Sequence, residues 1–288
     1  MGIFDIFKKK EEIVQPEENE ANQLKNYPEA LSAKLLFINK PDVNAEAILD
    51  EAKLYFKNIV GPGEGEALLF SFPDIRIELA DANIPAQCLA AIPDEKHPGI
   101  DLPETALQQN WHWSEANEFV KDCKYELLVT DFMTRTLEYK QRVNLFMNFL
   151  VAVIKATAPN VVYSVSGQKL LAPTKLISIW DSEEREELYG ICNVRLYNIG
   201  DTPGKEMLMD TVGLSIIGLP DFQIRFSNFD VNDIANLLWN YAYYIYGYGD
   251  VIKDGNTMEG ITTGSKWRCE RLISQLQPER MVINVQPL

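Results

Sequence analysis

Leu219-Pro-Asp-Phe-Gln-Ile-Arg-Phe226 lies in the stretch that decides the fold, which runs from Met207 to Ile273. An apolar run rich in strand-forming residues, Met207 to Gly218, precedes it, and Pro220-Asp221 lies between the two runs. Proline followed by aspartate is typical of turns, and two β-rich runs around a turn favour an antiparallel pair of strands. The sequence therefore predicts a β-hairpin with its turn at Pro220-Asp221.

A helix from Asp230 to Tyr246 is predicted to follow this hairpin. Asp230 can cap its N terminus, and Gly247 can follow its last turn. An apolar face arises from residues at helical spacing, namely Ile234, Leu237, Leu238, Tyr241 and Ile245. The remaining aromatic residues either pack in a core around the helix or form an exposed contact cluster: Trp239, Tyr243, Tyr244, Tyr246 and Tyr248. Two further strands are predicted, from Gly249 to Thr257 and from Lys266 to Ile273.

An earlier segment resembles the predicted hairpin. Phe72-Pro-Asp-Ile-Arg-Ile-Glu-Leu79 aligns without gaps on Leu219 to Phe226. A predicted helix follows each segment, at Ile84 to Ile92 after the first and at Asp230 to Tyr246 after the second. A repeated hairpin-plus-helix unit and a shared turn solution both explain the alignment. The predicted fold class is α+β, with a mixed, largely antiparallel sheet and packed helices. In the repeat interpretation, two pseudo-repeated halves meet near residues 166–205.

Composition limits the class of protein. The chain has 288 residues, of which 46% are hydrophobic, and a net charge of −15. A large core is therefore expected, in one or two domains, and the charge argues against a nucleic-acid partner. A basic protein partner is compatible with the charge, and so is simple solubility. Four widely spaced cysteines, the lack of a long apolar run and the lack of a secretory pattern predict a cytoplasmic protein.

The first residues differ from the rest of the chain. Ile3 to Lys10 is a short amphipathic patch with a basic end, and an acidic, polar segment follows it. Residues 1–26 are interpreted as this patch with a disordered linker, and residues 27–288 as a globular α+β region. Two turns of helix bind lipid weakly, so membrane contact is the less favoured role for the patch.

Candidates for chemistry are few. The chain has two histidines, His97 and His112. His112 lies between Trp111 and Trp113, where a perturbed pKa is expected, but no nucleophile motif accompanies it, which favours a structural role. Ser215 misses a nucleophile-elbow pattern by one position. No catalytic residue, metal ligand or cofactor is predicted.

A polar set follows the aromatic helix and predicts a groove beside it. Asp250, Asp254, Asn256 and Thr257 form this set, which faintly resembles a calcium loop. Ile252 occupies a position where such a loop needs an oxygen ligand. The alternative for Asp254-Gly-Asn256 is a hairpin turn with positive φ at the glycine.

Four stretches of the sequence together resemble a known family. Asn110 to Ala116, Glu126 to Thr130, Val212 to Asp221 and Gly249 to Thr257 resemble a bacterial domain-of-unknown-function family numbered 4261, most clearly in the C-terminal third. The resemblance implies a fold rather than an activity, and it brings no catalytic residues. By analogy, such families are similar to immunity proteins of bacterial toxin systems, which are acidic, cytoplasmic and non-catalytic.

Two hypotheses about function follow. The first is a non-enzymatic, immunity-like interaction protein that binds a basic protein partner. The second is an enzyme or small-ligand-binding protein with a site between Trp111–Trp113 and Asp250–Thr257. A shallow acidic and aromatic surface would favour the first, and a deep polar pocket would favour the second. The predicted binding residues are Trp111, His112, Trp113, Trp239, Tyr244, Asp250, Asp254 and Asn256.

Overall fold

The computed structural model describes residues 29–62, 67–91, 100–200 and 206–288. The predictions for residues 1–26 and for His97 lie outside these ranges. Within the ranges, no helix is both long and apolar enough to cross a membrane. The chain forms two compact units: the N-terminal unit comprises Tyr27–Asn193 with Val212–Gly218, and the C-terminal unit includes Val194–Thr211 and Leu219–Leu288.

Two six-stranded sheets confirm the predicted α+β class. The strands of the N-terminal unit are β1 (Ser32–Phe37), β2 (Ala67–Glu78), β3 (Asn83–Ala91), β4 (Tyr125–Phe132), β5 (Val161–Ser164) and β6 (Lys169–Leu171), and its helices are α1 (Ala45–Ala52), α2 (Glu104–Gln108), α3 (Ala116–Val120), α4 (Tyr139–Thr157) and α5 (Pro173–Trp180). The antiparallel strand order is β2-β3-β4-β1-β5-β6.

Helix α4 is the central helix of this unit. The Glu138 side chain accepts a hydrogen bond from the Gln141 N–H and so caps its first turn. Ala158 ends the helix in the left-handed conformation, with φ 48°. Most of its residues from Arg142 to Ile154 are buried. Helix α4 packs against α1, α5 and strands β3 and β4.

The hairpin-plus-helix prediction was wrong in the N-terminal unit. Strand β2 passes through Pro73-Asp74 with a register shift between Phe72 and Arg76, and it does not turn there. Of the segment predicted as a helix, Ile84 to Ile92, the described residues as far as Ala91 belong to strand β3. Alternate residues of β3 are buried, which is the period of a strand. The first of the two supposed halves therefore lacks its helix.

The C-terminal unit is built on the second sheet. Its elements are β7 (Asn193–Asn198), β8 (Met207–Val212), β9 (Asp221–Phe226), helix α6 (Val231–Tyr248), β10 (Thr257–Glu259), β11 (Lys266–Ile273) and β12 (Met281–Pro287). The strand order is β10-β11-β12-β9-β8-β7, and β12 pairs with β9 in parallel. Strand β10 therefore lies at one edge of the sheet.

The predicted pairing of β8 with β9 is confirmed, but the predicted turn was wrong. Met207 pairs with Phe226 and Asp210 with Gln223, in antiparallel register. The connection is a longer segment that contains a short 3₁₀ helix, Ser215–Ile217, and Asp221 is already the first residue of β9. Gly213 starts this connection with φ 125°, a conformation that favours glycine.

Candidate functional site

Helix α6 forms one side of the candidate site. The Asp230 carboxylate accepts from the Asn232 N–H at 2.8 Å, so the predicted N-terminal cap is confirmed. The helix continues to Tyr248, and Gly249 with φ 83° ends it, so the prediction that Gly247 follows the last turn was wrong. All five residues predicted for its apolar face are buried. Hydrophobic burial of this face holds α6 against the sheet.

The other aromatic residues of α6 divide between core and surface. Tyr246 is buried, whereas Tyr244 and Tyr248 are 45% and 71% exposed. The rings of Tyr244 and Tyr248 lie 4.9 Å apart, and those of Trp239 and Tyr243 lie 6.2 Å apart. Tyr246 therefore belongs to the core, Tyr244 and Tyr248 are exposed, and a contact role for the exposed pair stays a prediction.

The segment after α6 is mostly an anchored loop. The strand predicted from Gly249 to Thr257 was wrong as far as Asn256, because only Thr257–Glu259 forms a strand. The Arg271 guanidinium donates to both Asp250 carboxylate oxygens, at 2.6 and 2.8 Å. The Arg271 backbone N–H donates to Asp254 at 2.7 Å. Hydrogen bonding to Asp250 raises the pKa of Arg271.

A tight turn completes this loop. The Asn256 side chain accepts from the Lys253 N–H at 2.9 Å, and Gly255 has φ 78°. The predicted positive φ at the glycine is therefore confirmed, but the turn is not that of a hairpin, because a loop and not a strand precedes it. Asp250 and Asp254 thus accept hydrogen bonds from Arg271 of β11, and Asn256 accepts one from within the loop. Among the residues that the structure describes, no group of three His, Cys, Asp or Glu could hold a metal ion.

A cleft of about 800 Å³ lies between α6 and the segment from Val251 to Thr263. Thirteen residues line it: Leu237, Asn240, Tyr241, Tyr244, Val251, Ile252, Asn256, Thr257, Met258, Glu259, Gly260, Ile261 and Thr263. Leu237, Tyr241 and Ile252 are buried and form its floor, whereas Tyr244 and Val251 are about half exposed. The cleft is therefore open to solvent, with an apolar floor and with Tyr244 and Val251 at its rim.

One side chain of the cleft lining carries a charge. It is Glu259, which is exposed and accepts from the Gly264 N–H at 3.1 Å. The Tyr241 hydroxyl donates to the Glu259 carbonyl oxygen at 2.6 Å and ties α6 to strand β10. Burial raises the pKa of Tyr241, so this phenol stays protonated as a donor.

The Trp111-His-Trp113 segment belongs to the N-terminal unit. Trp111 and Trp113 line a smaller pocket of about 260 Å³, together with Leu107, Gln108, Asn110, Ser114, Ala116 and Asn117. Trp111 is 53% exposed, and Trp113 packs on Phe119 with ring centroids 5.2 Å apart. The residues predicted to share one site lie in two units. Trp111 and Trp113 line the smaller pocket, and Tyr244 and Asn256 line the cleft. His112, Trp239, Asp250 and Asp254 belong to neither lining.

His112 closes the edge of a sheet. Its Nε2 lies 2.8 Å from the Leu170 carbonyl oxygen, and the Leu170 N–H donates to the Asn110 side chain at 2.8 Å. Leu170 lies on β6, an edge strand, so both of its outward peptide groups are satisfied by side chains. Desolvation and the nearby Lys169 ammonium lower the pKa of His112 to about 4. The imidazole is therefore neutral near pH 7, and its Nε2–H donates to Leu170.

Sequence reasoning missed a buried lysine in the N-terminal unit and a buried network of charged residues in the C-terminal unit. In the N-terminal unit, Lys169 is 1% exposed with its ammonium 4.8 Å from the Tyr189 ring centroid. Burial lowers the pKa of Lys169 to about 8. In the C-terminal unit, Asp210 and Asp221 bind Arg280 inside the core. A carboxylate within an otherwise apolar strand, as at Asp210, is the sequence signal for such a pairing.

The cleft lies within a region that matches a known family. Residues 210–286 match the model described as Domain of unknown function (DUF4261). This confirms the resemblance over the C-terminal part of the chain. The DUF4261 match covers β9 to β11, β12 except for Pro287, helix α6 and every residue that lines the cleft. No curated protein and no solved structure matches the chain.

Proposed function

We infer that the protein is a non-enzymatic interaction protein that binds a basic protein partner through the cleft of the C-terminal unit. One observation carries this proposal: the cleft is open and aromatic, with Glu259 as the charged side chain in its lining. An exposed tyrosine beside an apolar floor, as Tyr244 is here, is typical of the central residues of protein interfaces. A net charge of −15 adds long-range attraction for a basic partner.

The same lining disfavours catalysis. General acid–base chemistry needs a titratable group near neutral pH, usually with a second group to orient it. The described lining contains neither histidine nor cysteine, and its carboxylate, Glu259, is exposed and bound to Gly264. A catalytic pair is therefore lacking in this part of the structure.

The proposal includes two finer statements. The protein works in the cytoplasm, where its four free, buried cysteines would stay reduced. Its action on the partner is immunity-like, in that it occludes a basic surface of that partner. Support for the second statement is the acidic charge of the chain together with the aromatic cleft.

Affinity purification with matched variants tests the proposal. Tagged wild-type protein, Tyr244→Ser and Phe132→Ser would be expressed in the cells that naturally produce the protein, and co-eluting proteins would be identified by mass spectrometry. Phe132 is the control because it is 44% exposed, against 45% for Tyr244, and lies in the N-terminal unit. Loss of a central interface tyrosine weakens binding by about 30-fold or more.

One stoichiometric basic protein should elute with the wild type and with Phe132→Ser but not with Tyr244→Ser. A partner that stays with Tyr244→Ser would refute the assignment of the cleft. Elution of the wild-type protein alone would refute the interaction function, and the ligand-binding hypothesis would then be tested with metabolites.

A further inference from the structure

The outer edge of strand β10 has an unusual combination of features. It is an edge strand of the C-terminal sheet, and it also forms part of the cleft lining. Edge strands expose peptide groups that can pair with another strand, and proteins normally cover them. At the β6 edge of the N-terminal unit, Asn110 and His112 bind both outward groups of Leu170. At the β10 edge, by contrast, fewer of the outward peptide groups are bound by side chains.

The hydrogen bonds around β10 establish which of its peptide groups point outward. The Cys269 N–H donates to the Asn256 carbonyl oxygen at 2.8 Å, and the Gly260 N–H donates to the Ser265 carbonyl oxygen at 3.1 Å. Strand β10 pairs with β11 in antiparallel register, so bonded and non-bonded pairs alternate between these two points. Thr257 and Glu259 therefore occupy non-bonded positions, and their peptide groups point away from β11.

One of these outward groups already has a partner. The Glu259 carbonyl oxygen accepts from the Tyr241 hydroxyl at 2.6 Å, which independently confirms its outward direction. Three other peptide groups point away from β11 at the wall of the cleft: the Thr257 N–H, the Thr257 carbonyl and the Glu259 N–H. No other described strand pairs with this side of β10. An extended segment laid in the cleft can therefore reach two donors and one acceptor.

The charge around the cleft selects the kind of segment. Between Asp230 and Ile252, which includes all of α6, the sequence has three aspartates and no lysine or arginine. Asp250, one of the three, is paired with Arg271, and Lys253 follows outside the cleft lining. Glu259 adds a carboxylate to the cleft lining. The basic residues of neighbouring strand β11, Lys266 and Arg268, are not part of that lining. A segment with lysine or arginine at alternate positions matches this field better than an acidic one.

We propose that the cleft binds an extended, basic segment of a partner protein as an added strand on the outer edge of β10. This inference rests on the proposed function, because it specifies how the partner is held. Main-chain hydrogen bonds to Thr257 and Glu259 provide the pairing, the apolar floor receives one row of side chains, and Glu259 attracts the basic row. Helix α6 forms the opposite wall, so the segment lies between helix and strand.

Fluorescence anisotropy with synthetic peptides tests the inference on the full-length protein. The probe is a fluorescein-labelled octapeptide of alternating valine and lysine, and its charge control alternates valine and glutamate. Two further versions of the probe carry N-methyl groups on the odd or on the even residues. An added strand bonds through alternate residues only, so just one of these two versions removes donors that face β10.

We expect the valine–lysine peptide to bind and the valine–glutamate peptide to fail. One N-methylated version should lose about fivefold or more in affinity, because its methyl group removes the one hydrogen bond to the Thr257 carbonyl and also clashes with β10, while the other stays within about twofold. Equal affinities of the two methylated versions would overturn strand addition. So would binding of the acidic peptide as tightly as the basic one.

A pair of variants at one position supplies a second, protein-side test. Thr257→Pro removes the outward N–H, and proline is tolerated at such edge positions. Thr257→Val keeps the N–H and removes only the hydroxyl. Peptide affinity should fall with Thr257→Pro and stay unchanged with Thr257→Val, and equal affinities would contradict the inference. If Thr257→Pro fails to fold, as circular dichroism would report, the methylated peptides decide the question.

The outcomes separate the two proposals. If Tyr244→Ser loses the natural partner but the two methylated peptides bind equally, the cleft is the interface and strand addition is wrong. If Tyr244→Ser keeps the natural partner, the proposed function itself is wrong at this site, whatever the peptides do.

Discussion

Replacing Asp210 by asparagine should destabilise the C-terminal unit strongly. The Asp210 carboxylate accepts hydrogen bonds from Arg195 Nε at 3.0 Å, Arg195 Nη2 at 2.6 Å and Arg280 Nη2 at 2.7 Å. The side chains of Arg195 and Asp210 are fully buried, and that of Arg280 is 3% exposed. Asp221 binds the same Arg280 through Nε at 2.9 Å. Two guanidinium groups thus face two carboxylates in the core.

The magnitude follows from the charge that remains. Asparagine has nearly the shape of aspartate, so the substitution opens no cavity and isolates the electrostatic effect. Two buried arginines would then share one carboxylate, that of Asp221. Removing one partner from a buried ion pair costs about 3–5 kcal/mol, because the charge left behind is desolvated without compensation. We expect the free energy of unfolding to fall by about that amount.

Urea denaturation followed by tryptophan fluorescence and circular dichroism measures this change. Trp267, buried on β11, reports on the C-terminal unit. Glu206→Gln is the matched control, because Glu206 pairs with Arg225 at the surface, where side-chain exposures are 34% and 47%. Surface pairs contribute about 0–1 kcal/mol. A loss below about 1 kcal/mol for Asp210→Asn would refute the assignment of a strongly coupled buried network.

Three further predictions concern single residues. His112, with a pKa lowered to about 4, should show no protonation above pH 5 in an NMR titration. Its contribution to stability should decline as the pH falls from its unfolded pKa of about 6.5 towards 4. A titration midpoint near pH 6.5 would contradict this prediction. Gly213→Ala should lower the free energy of unfolding by about 2 kcal/mol or more, measured by thermal unfolding, because its Cβ would lie 2.1 Å from the Ile191 carbonyl oxygen. Gly247→Ala has open space around it and should instead stabilise α6 by about 0.5–1 kcal/mol. Burial lowers the pKa of Lys169 to about 8, so between pH 8 and 10 the unfolded chain binds more protons at this residue than the folded protein does. The wild type should therefore gain stability relative to Lys169→Met as the pH rises from 8 to 10. A stability difference that stays constant over this range would show that the pKa is normal.

Local patterns predicted local structure well. The apolar spacing in α6 and the cap at Asp230 depend on residues within one or two turns, and both are confirmed. The pairing of β8 with β9 joins neighbouring segments and is also confirmed. The groove predicted beside the aromatic helix contains Tyr244, Asn256 and Thr257. Asp250 and Asp254, predicted in the same groove, hold the loop through Arg271 instead.

Turns and register were harder to predict. Proline with aspartate occurs in turns, but Pro73-Asp74 lies at an irregularity within a continuous strand, and Asp221 begins β9. The same dipeptide fits a turn, a bulge or a strand end, and neighbouring strands decide which one forms. Strand β12 was not predicted at all, although its burial between β11 and β9 completes the sheet.

The amino-acid sequence by itself determined the α+β class, helix α6 with its cap, and the resemblance of the C-terminal part to DUF4261. Each of these follows from composition or from contacts between residues close in the chain. Tertiary structure alone decided which edge of a sheet is closed and which lines a cleft, and which buried charges meet. Asp210 and Arg280 are 70 residues apart in the chain. Such a pairing depends on strand order, because buried charges require partners that only the packed sheets bring together.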